Sequence, residues 1–381
     1  MLEIYQTKRK KSAYLGLLFI LVVIGVGIAA EVSKAAGNDS ASWEMDLKTL
    51  GYSACPSSSS SNRLGLPPTA LAFADSLHLV ATFLSCGRLY ATVFDARDGR
   101  IEVKRDWPSK NVNDGVVTAH NGGIVIRVGS QLTLYSTTLE PQKEEDLDTI
   151  SSGSLYAGAW GRFKSPTGRF VLFQSIVSHR NEYCWMDADN LEFTYSFPDD
   201  LIPLGISDTE ILGWKRNSAH EEAQLVIQKR DEKEGRVIRH SKYPPNDVVF
   251  VNETVFENGT SLFSMSLFQT DGTLIERIKS PAHDFPGRVT PSADGYRFAF
   301  TGSSVRNVLE ILSPHEQWEY VQRVYVYDMS TRHFVGNVRV RHSTRNQHFP
   351  LALSPDGSRL AFFDGNVLKV YELPVAAKLL P

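Results

Sequence analysis

The side chains able to do chemistry are scattered along this chain, so their spacing decides what they mean. His220-Glu221-Glu222-Ala223-Gln224 opens like the helical zinc site of a metalloprotease. That site needs a second imidazole four residues after the first, so that one helical face offers both ligands. Gln224 stands there instead, and the stretch reads as a polar hairpin tip. His315-Glu316 fails in the same way. The acidic run Lys143-Glu144-Glu145-Asp146, with Asp148, matches no calcium-loop spacing and reads as a solvated face. No GxSxG elbow, phosphate-binding loop or GxGxxG turn occurs. No catalytic set, no metal and no cofactor are expected. Trp160, Tyr183, Trp185 and Trp214 read as core aromatics. Trp318 differs, because His315, Glu316, Glu319 and Tyr320 surround it in a polar and aromatic mix unlike a core strand.

The elements that must carry these residues are strands. The C-terminal stretch 349–374, FPLALSPDGSRLAFFDGNVLKVYELP, reads as three short strands with two tight turns. Ser354-Pro355-Asp356-Gly357 is the first turn: Pro presets φ, Asp bonds the backbone ahead of it, and Gly accepts φ > 0. Asp364-Gly365 is read as a two-residue hairpin turn. The run between them, Arg359-Leu360-Ala361-Phe362-Phe363, is too short for a helix.

The same pattern returns at 290–300 (TPSADGYRFAF), at 165–173 (SPTGRFVLF) and, without Pro and Gly, at 70–83 (ALAFADSLHLVATF). A strand ending near an acid follows each time: Leu89–Asp95, Tyr183–Asp187, Arg323–Asp328 and Val367–Glu372. Weaker units lie at Val116–Tyr135, Leu204–Gln228 and Val248–Phe268. Seven units across residues 44–374 give about 47 residues each, within the ~40–50 of a four-stranded propeller blade. Unit six carries an insertion read as Gly302–Glu319. The alternative, a pair of β-sandwiches, also has short strands at even spacing, but it does not require one turn-strand motif at a fixed place in every unit. The expectation is an all-β, seven-bladed propeller over residues 43–381. Each meander is apolar on two faces, and only a closed ring leaves no last neighbour unburied. The chain ends after the third strand of unit seven, so Trp43–Leu50 is expected to supply the fourth.

The SPDGSRLAFF motif followed by a VYVYD-type strand resembles the WD40-like propellers of the TolB kind. It departs from true WD repeats. No Trp-Asp dipeptide ends the third strand, where Tyr327-Asp328, Phe94-Asp95 and Tyr371-Glu372 stand, and no Gly-His pair opens the units. The resemblance implies an architecture, and architecture does not carry a function.

Before the propeller, Lys8-Arg9-Lys10-Lys11 precedes the uncharged Tyr14–Ala30, YLGLLFILVVIGVGIAA. A basic cluster before an apolar run is an export signal. Residues 1–36 are therefore a cytoplasmic stub with a hydrophobic helix that is either a cleaved signal peptide or a retained anchor, and 37–42 is a linker. The body is expected outside the cytoplasm, periplasmic or at the cell surface. There the sequons at Asn252 and Asn258 matter only in a eukaryotic secretory pathway. The whole chain has a formal charge of −3, and setting aside Glu3, Lys8, Arg9, Lys10 and Lys11 makes the body more acidic, which argues against nucleic acid as partner. Of three cysteines, none forms a CxxC pair. Blade strand order puts Cys55 and Cys86 on one rim, where an oxidising compartment favours a disulfide. Two reduced thiols remain the alternative, since pairing needs Cα atoms about 5.5 Å apart. Cys184, between Tyr183 and Trp185, is expected to be a buried thiol.

In a propeller the second-to-third-strand loops share a rim with the blade-to-blade connections. Here the long ones are Ser178–Glu182 with His179 and Arg180, Lys215–Glu222 with His220, and Gly302–Tyr320 with His315, Glu316 and Trp318. Loops on a rigid scaffold are where function sits. The reading is a monomeric, non-catalytic binding or scaffold module for an envelope or extracellular protein, peptide or glycan. The alternative is a propeller hydrolase or lyase with polar residues converging at the mouth of the central channel.

Overall fold

The computed structural model describes residues 40–50, 68–85, 87–109, 115–150, 163–177, 180–195, 201–217, 222–230, 232, 234–241, 247–261, 264–281, 284–305, 320–340 and 350–374. The expected N-terminal hydrophobic helix lies outside these residues. Among the described residues no helix is long and apolar enough to cross a membrane.

Seven four-stranded antiparallel sheets follow one another. Blade one is Pro68–Phe73, His78–Ser85, Arg88–Asp95 and Ile101–Pro108. Blade two is Gly115–His120, Gly123–Val128, Gln131–Tyr135 and Pro141–Asp146, and blade three Phe163–Lys164, Phe170–Val177, Arg180–Asp187 and Glu192–Tyr195. Blade four runs Ile202–Ile206, Glu210–Asn217, Glu222–Lys229 and Arg236–Ser241, and blade five Asp247–Val251, Thr254–Ser261, Ser264–Gln269 and Leu274–Lys279. Blade six is Phe285–Pro291, Arg297–Val305, Tyr320–Asp328 and His333–Val340. Blade seven has only three strands of its own, Leu351–Leu353, Arg359–Asp364 and Val367–Glu372. Its fourth is Trp43–Asp46, antiparallel to Val367–Glu372 with Trp43 opposite Val370. The first strand of blade seven touches that of blade one, which closes the ring.

The apolar runs are unbroken because both faces of each blade are buried. In the third strand of blade six, Val324 and Val326 pack with Leu360 and Phe362 of blade seven. Tyr325 and Tyr327, on the opposite face, pack with Val251 and Phe256 of blade five. In Arg359–Asp364, Leu360 and Phe362 face blade six while Ala361 and Phe363 face Leu79 and Phe94 of blade one. A strand with water on one face alternates apolar and polar residues; a strand covered twice does not. Each fully buried Phe contributes roughly 1.5–3 kcal/mol to this core.

Three details differ from the sequence reading. The last hairpin turn is Gly365-Asn366, because Asp364 still pairs with Val367 and its buried carboxylate holds Lys369 Nζ at 2.7 Å. The closing strand stops at Asp46, and Leu47–Leu50 forms a 3-10 turn. Asp46 starts that turn by accepting the Lys48 N–H, and Leu47 is driven fully under the ring. The unit-six strand continues through Gly302-Ser303-Ser304 to Val305, paired with Tyr320–Arg323. Gly302 looks like a loop residue, yet it is there because the Tyr325 ring and Asp284 press on it: an added Cβ would lie 2.6 Å from Tyr325 Cε2.

Candidate functional site

A propeller offers three places for function: two rims and a channel. One rim carries the first-to-second and third-to-fourth turns of every blade, and we call it the turn rim. On it lies the repeated sequence motif, whose side chains are spent on structure. In blade seven, Ser354 Oγ donates to Asp356 Oδ1 at 2.6 Å and accepts the Arg359 N–H at 2.9 Å. Ser292, Asp294 and Arg297 repeat this in blade six at 2.6 and 3.1 Å. Gly357 holds φ +64°, which an L side chain rarely adopts.

The arginine that follows the turn stitches blades together. Arg297 is 1% exposed. Its Nε donates to Asp328 at 2.9 Å, one terminal nitrogen to the Gly357 carbonyl at 2.9 Å and the other to the Pro374 carbonyl at 2.6 Å. Arg359 does the same one blade on, donating to the Ser76 carbonyl of blade one at 3.0 Å. Between blades one and two, the Gly122 N–H donates to the Ala74 carbonyl at 3.0 Å. Thr118 Oγ1 donates to the Gly168 carbonyl at 2.6 Å, joining blades two and three. Thr167 Oγ1 reaches Asp208 at 2.6 Å, joining three and four.

A shallow cleft on this rim is lined by His120, Asn121, Ser136, Thr137, Gln142 and Asp189. Its imidazole is already engaged. Nδ1 lies 2.9 Å from the Thr167 carbonyl and Nε2 2.8 Å from the Asn121 amide nitrogen. Nε2 also lies 3.7 Å from Asp189 Oδ2, so both ring nitrogens face protein partners. Among the described residues, no group of three His, Cys, Asp or Glu side chains converges as a metal site.

The opposite rim receives the second-to-third and blade-to-blade connections, and we call it the connection rim. His179, His220, His315, Glu316, Trp318, Cys55 and Cys86 lie outside the described residues. Arg180 starts the third strand of blade three, its backbone opposite Val177. Likewise Lys215–Asn217 and Glu222 belong to strands that pair with each other. The strand ends flanking 178–179, 218–221 and 306–319 all open on this rim, as blade topology requires. At its edge in blade six sits a polar cluster that the sequence reading missed. Fully buried Asp284 accepts from Tyr325 Oη at 2.7 Å and from Arg323 at 2.9 Å, and Arg323 also donates to Ser304 Oγ at 3.3 Å. Burial, with the Asp284 charge beside it, pushes the Tyr325 phenol far up. No motif announces the cluster, because Asp284 meets its partners only when the strands fold over it. Tyr183 and Trp185 are core residues as expected, at 5% and 0% exposed, and Cys184 is a buried thiol.

The channel wall is made by the innermost strands. Lys164 in blade three is half-buried and Arg288 in blade six is exposed. Burial, with the Arg288 charge adding to it, pushes the Lys164 amine down to about 8.

No family model matches the chain, and no curated protein matches it in sequence. Solved structures do match in shape. The WD40 domain of Neurospora crassa Pan2 aligns at a TM-score of 0.53 and 9% identity, over 88% of this chain and 95% of that one. The C-terminal WD40 domain of Sif2 gives 0.46 at 10% identity, over 81% and 98%. The β-propeller of Myceliophteria thermophila Cps50 (Swd1) gives 0.47 at 11% identity, over 81% and 98%. At these identities the similarity is one of fold, and it is the Pan2 domain that bears on it: the chain has the architecture of a WD40 β-propeller.

Proposed function

We propose that this propeller is a non-catalytic binding module that engages a protein partner through its connection rim. The observation that carries the reading is the contrast between the rims. The turn rim is stitched blade to blade by buried arginines, serines and backbone amides, which leaves it little to vary. The chain's long and polar departures from the repeat leave from the other side, the longest of the second-to-third-strand connections lying between Val305 and Tyr320. That segment holds His315, Glu316 and Trp318, and the shorter ones hold His179 with Arg180 and His220. A Trp amid charged and imidazole groups suits the centre of a protein interface, where aromatic and arginine anchors carry most of the energy.

The basic cluster and apolar run at residues 8–30 support export, with the propeller outside the cytoplasm, anchored or released. The partner is then an envelope or extracellular protein, peptide or glycan. The TolB-type character rests on the Ser-Pro-Asp-Gly turn with its following Arg strand. The test is crosslinking in native membranes with three proteins: the intact chain, a His315→Ala/Trp318→Ala variant, and Tyr296→Ala on the turn rim as control. The connection-rim variant should lose the crosslinked species by about tenfold or more, the scale of a hot-spot residue, while Tyr296→Ala keeps it. The reverse pattern would move the interface to the turn rim.

A further inference from the structure

The cleft between blades two and three on the turn rim is lined by polar groups that the fold leaves unused. Its volume is about 210 Å³, below the ~300–1,000 Å³ of sites for drug-sized molecules. Blade two supplies the turn at His120–Gly123 together with Ser136, Thr137 and Gln142, and blade three supplies Asp189 from its third-to-fourth turn. Gly122, Gly123 and Leu134 are the apolar part of the lining.

Two of the polar residues serve the fold. Ser136 Oγ accepts the Thr138 and Glu140 N–H groups at 3.3 and 3.2 Å. His120 is held between the Thr167 carbonyl and the Asn121 amide. The rest are open to a ligand. Every residue that lines the cleft is described. Among the described residues, the Thr137 hydroxyl, the Gln142 carboxamide and the Asn121 side-chain oxygen have no hydrogen-bond partner. The Asp189 carboxylate accepts no hydrogen bond either; it stands 3.7 Å from His120 Nε2 and 3.8 Å from Arg169 Nε.

These side chains select the ligand by its chemistry. No Lys or Arg lines the cleft, which disfavours an anion. A single carboxylate with no second acid beside it is a poor seat for a divalent cation. What remains is two carboxamides, a hydroxyl and a carboxylate, a set that both donates and accepts. We propose that the cleft binds one ring of a neutral, hydroxyl-rich ligand, a sugar. Neighbouring ring hydroxyls donate to the two Asp189 oxygens through charge-assisted bonds, and Asn121, Thr137 and Gln142 donate to or accept from the others. The C–H face of the ring lies on Leu134 and the bare Gly122-Gly123 backbone. Each bond replaces one to water, so the affinity is in the millimolar range. The site lies on the turn rim, away from the rim assigned to the protein partner, so either reading stands if the other fails.

The test is saturation-transfer NMR on the purified protein with the methyl glycosides of glucose, galactose, mannose and N-acetylglucosamine. At least one should bind saturably, and neither calcium chloride nor sodium sulfate at matched ionic strength should displace it. Asp189→Asn should weaken it about tenfold or more, and Gln142→Ala or Thr137→Val severalfold. Asp98→Asn, elsewhere on the same rim, should not change it. The bound glycoside should also shift the His120 ring resonances and leave those of His78 in place, a readout that needs no variant to fold. A disaccharide that binds tighter than its terminal methyl glycoside would assign the cleft to the end of a glycan, and equal affinity would assign it to a free sugar. No binding by any of the four, unchanged affinity in Asp189→Asn, displacement by calcium, or a still His120 ring would each overturn the site.

Discussion

Arg297 shows how one side chain of the repeated motif serves the ring. Its guanidinium spans Asp328 of its own blade, the turn of blade seven at Gly357 and the Pro374 carbonyl just past the last strand of blade seven, with almost no exposure. Removing one member of a buried pair strands the other charge, which costs more than the pair is worth. Arg297→Met should therefore cost about 3–5 kcal/mol, read as the shift in urea midpoint. Adding Asp328→Leu should recover part of that loss, because the orphaned carboxylate goes too. A single variant within about 0.5 kcal/mol of wild type would show that the ring does not depend on this stitch.

At the scale of elements, the closing strand ties the N-terminal end of the ring into its last blade. Trp43–Asp46 completes blade seven, and Ser42 already holds it, donating its N–H to the Val370 carbonyl at 2.8 Å. The strand also grips blade one: Trp43 Nε1 donates to the Ala96 carbonyl at 3.0 Å, and the ring packs on Phe94 at 6.0 Å between centroids. Deleting residues 40–46 should leave Val367–Glu372 as an open edge, so the protein should aggregate or lose its cooperative thermal transition. An unchanged thermal midpoint would sink that view. The Cys55–Cys86 disulfide proposed from the strand order would tie the segment after this strand to blade one. On the chain-entropy model, a loop of about 31 residues is worth roughly 3–4 kcal/mol. Thiol titration of the unfolded, unreduced protein should count one reactive group, Cys184; three would end the proposal.

For the whole molecule, the turn rim sets the acid limit of stability. Arg97 holds the Asp95 carboxyl well below the usual carboxylate range. Burial opposes ionisation of Asp328, but the Ser330 hydroxyl, the Thr331 N–H and Arg297 overcome it and keep this carboxyl low as well. Asp356 is kept low against burial by Ser354 and Ser358. A carboxyl depressed by folding adds stability that is complete above its unfolded value and is lost as pH falls through the folded one. Each of the three starts from an ordinary value of 3.8. The urea midpoint should thus be insensitive to these groups above about pH 5 and fall steadily below about pH 4. A midpoint that stays flat down to about pH 2 would mean that these carboxylates do not hold the rim.

The blade count, the order of the strands and the closing of the ring by the N-terminal segment were all legible in the chain. They follow from local rules: turn residues at fixed offsets, apolar runs too short for helices, and a last unit one strand short. The meaning of the motif's arginine was not legible. Arg297 and Arg359 read as strand residues, and their carbonyl partners lie in the next blade, brought close only by ring closure. Gly302 misled for a related reason, since its small size answers to Tyr325, a cross-strand neighbour beyond a long connection. The pairing of Asp284 with Arg323 and Tyr325 likewise appears in no spacing rule. Strand formation is decided by neighbours in sequence and by the twofold period of the pleat. Where charges meet is decided by which blades the closed ring sets side by side, and that belongs to the tertiary structure alone.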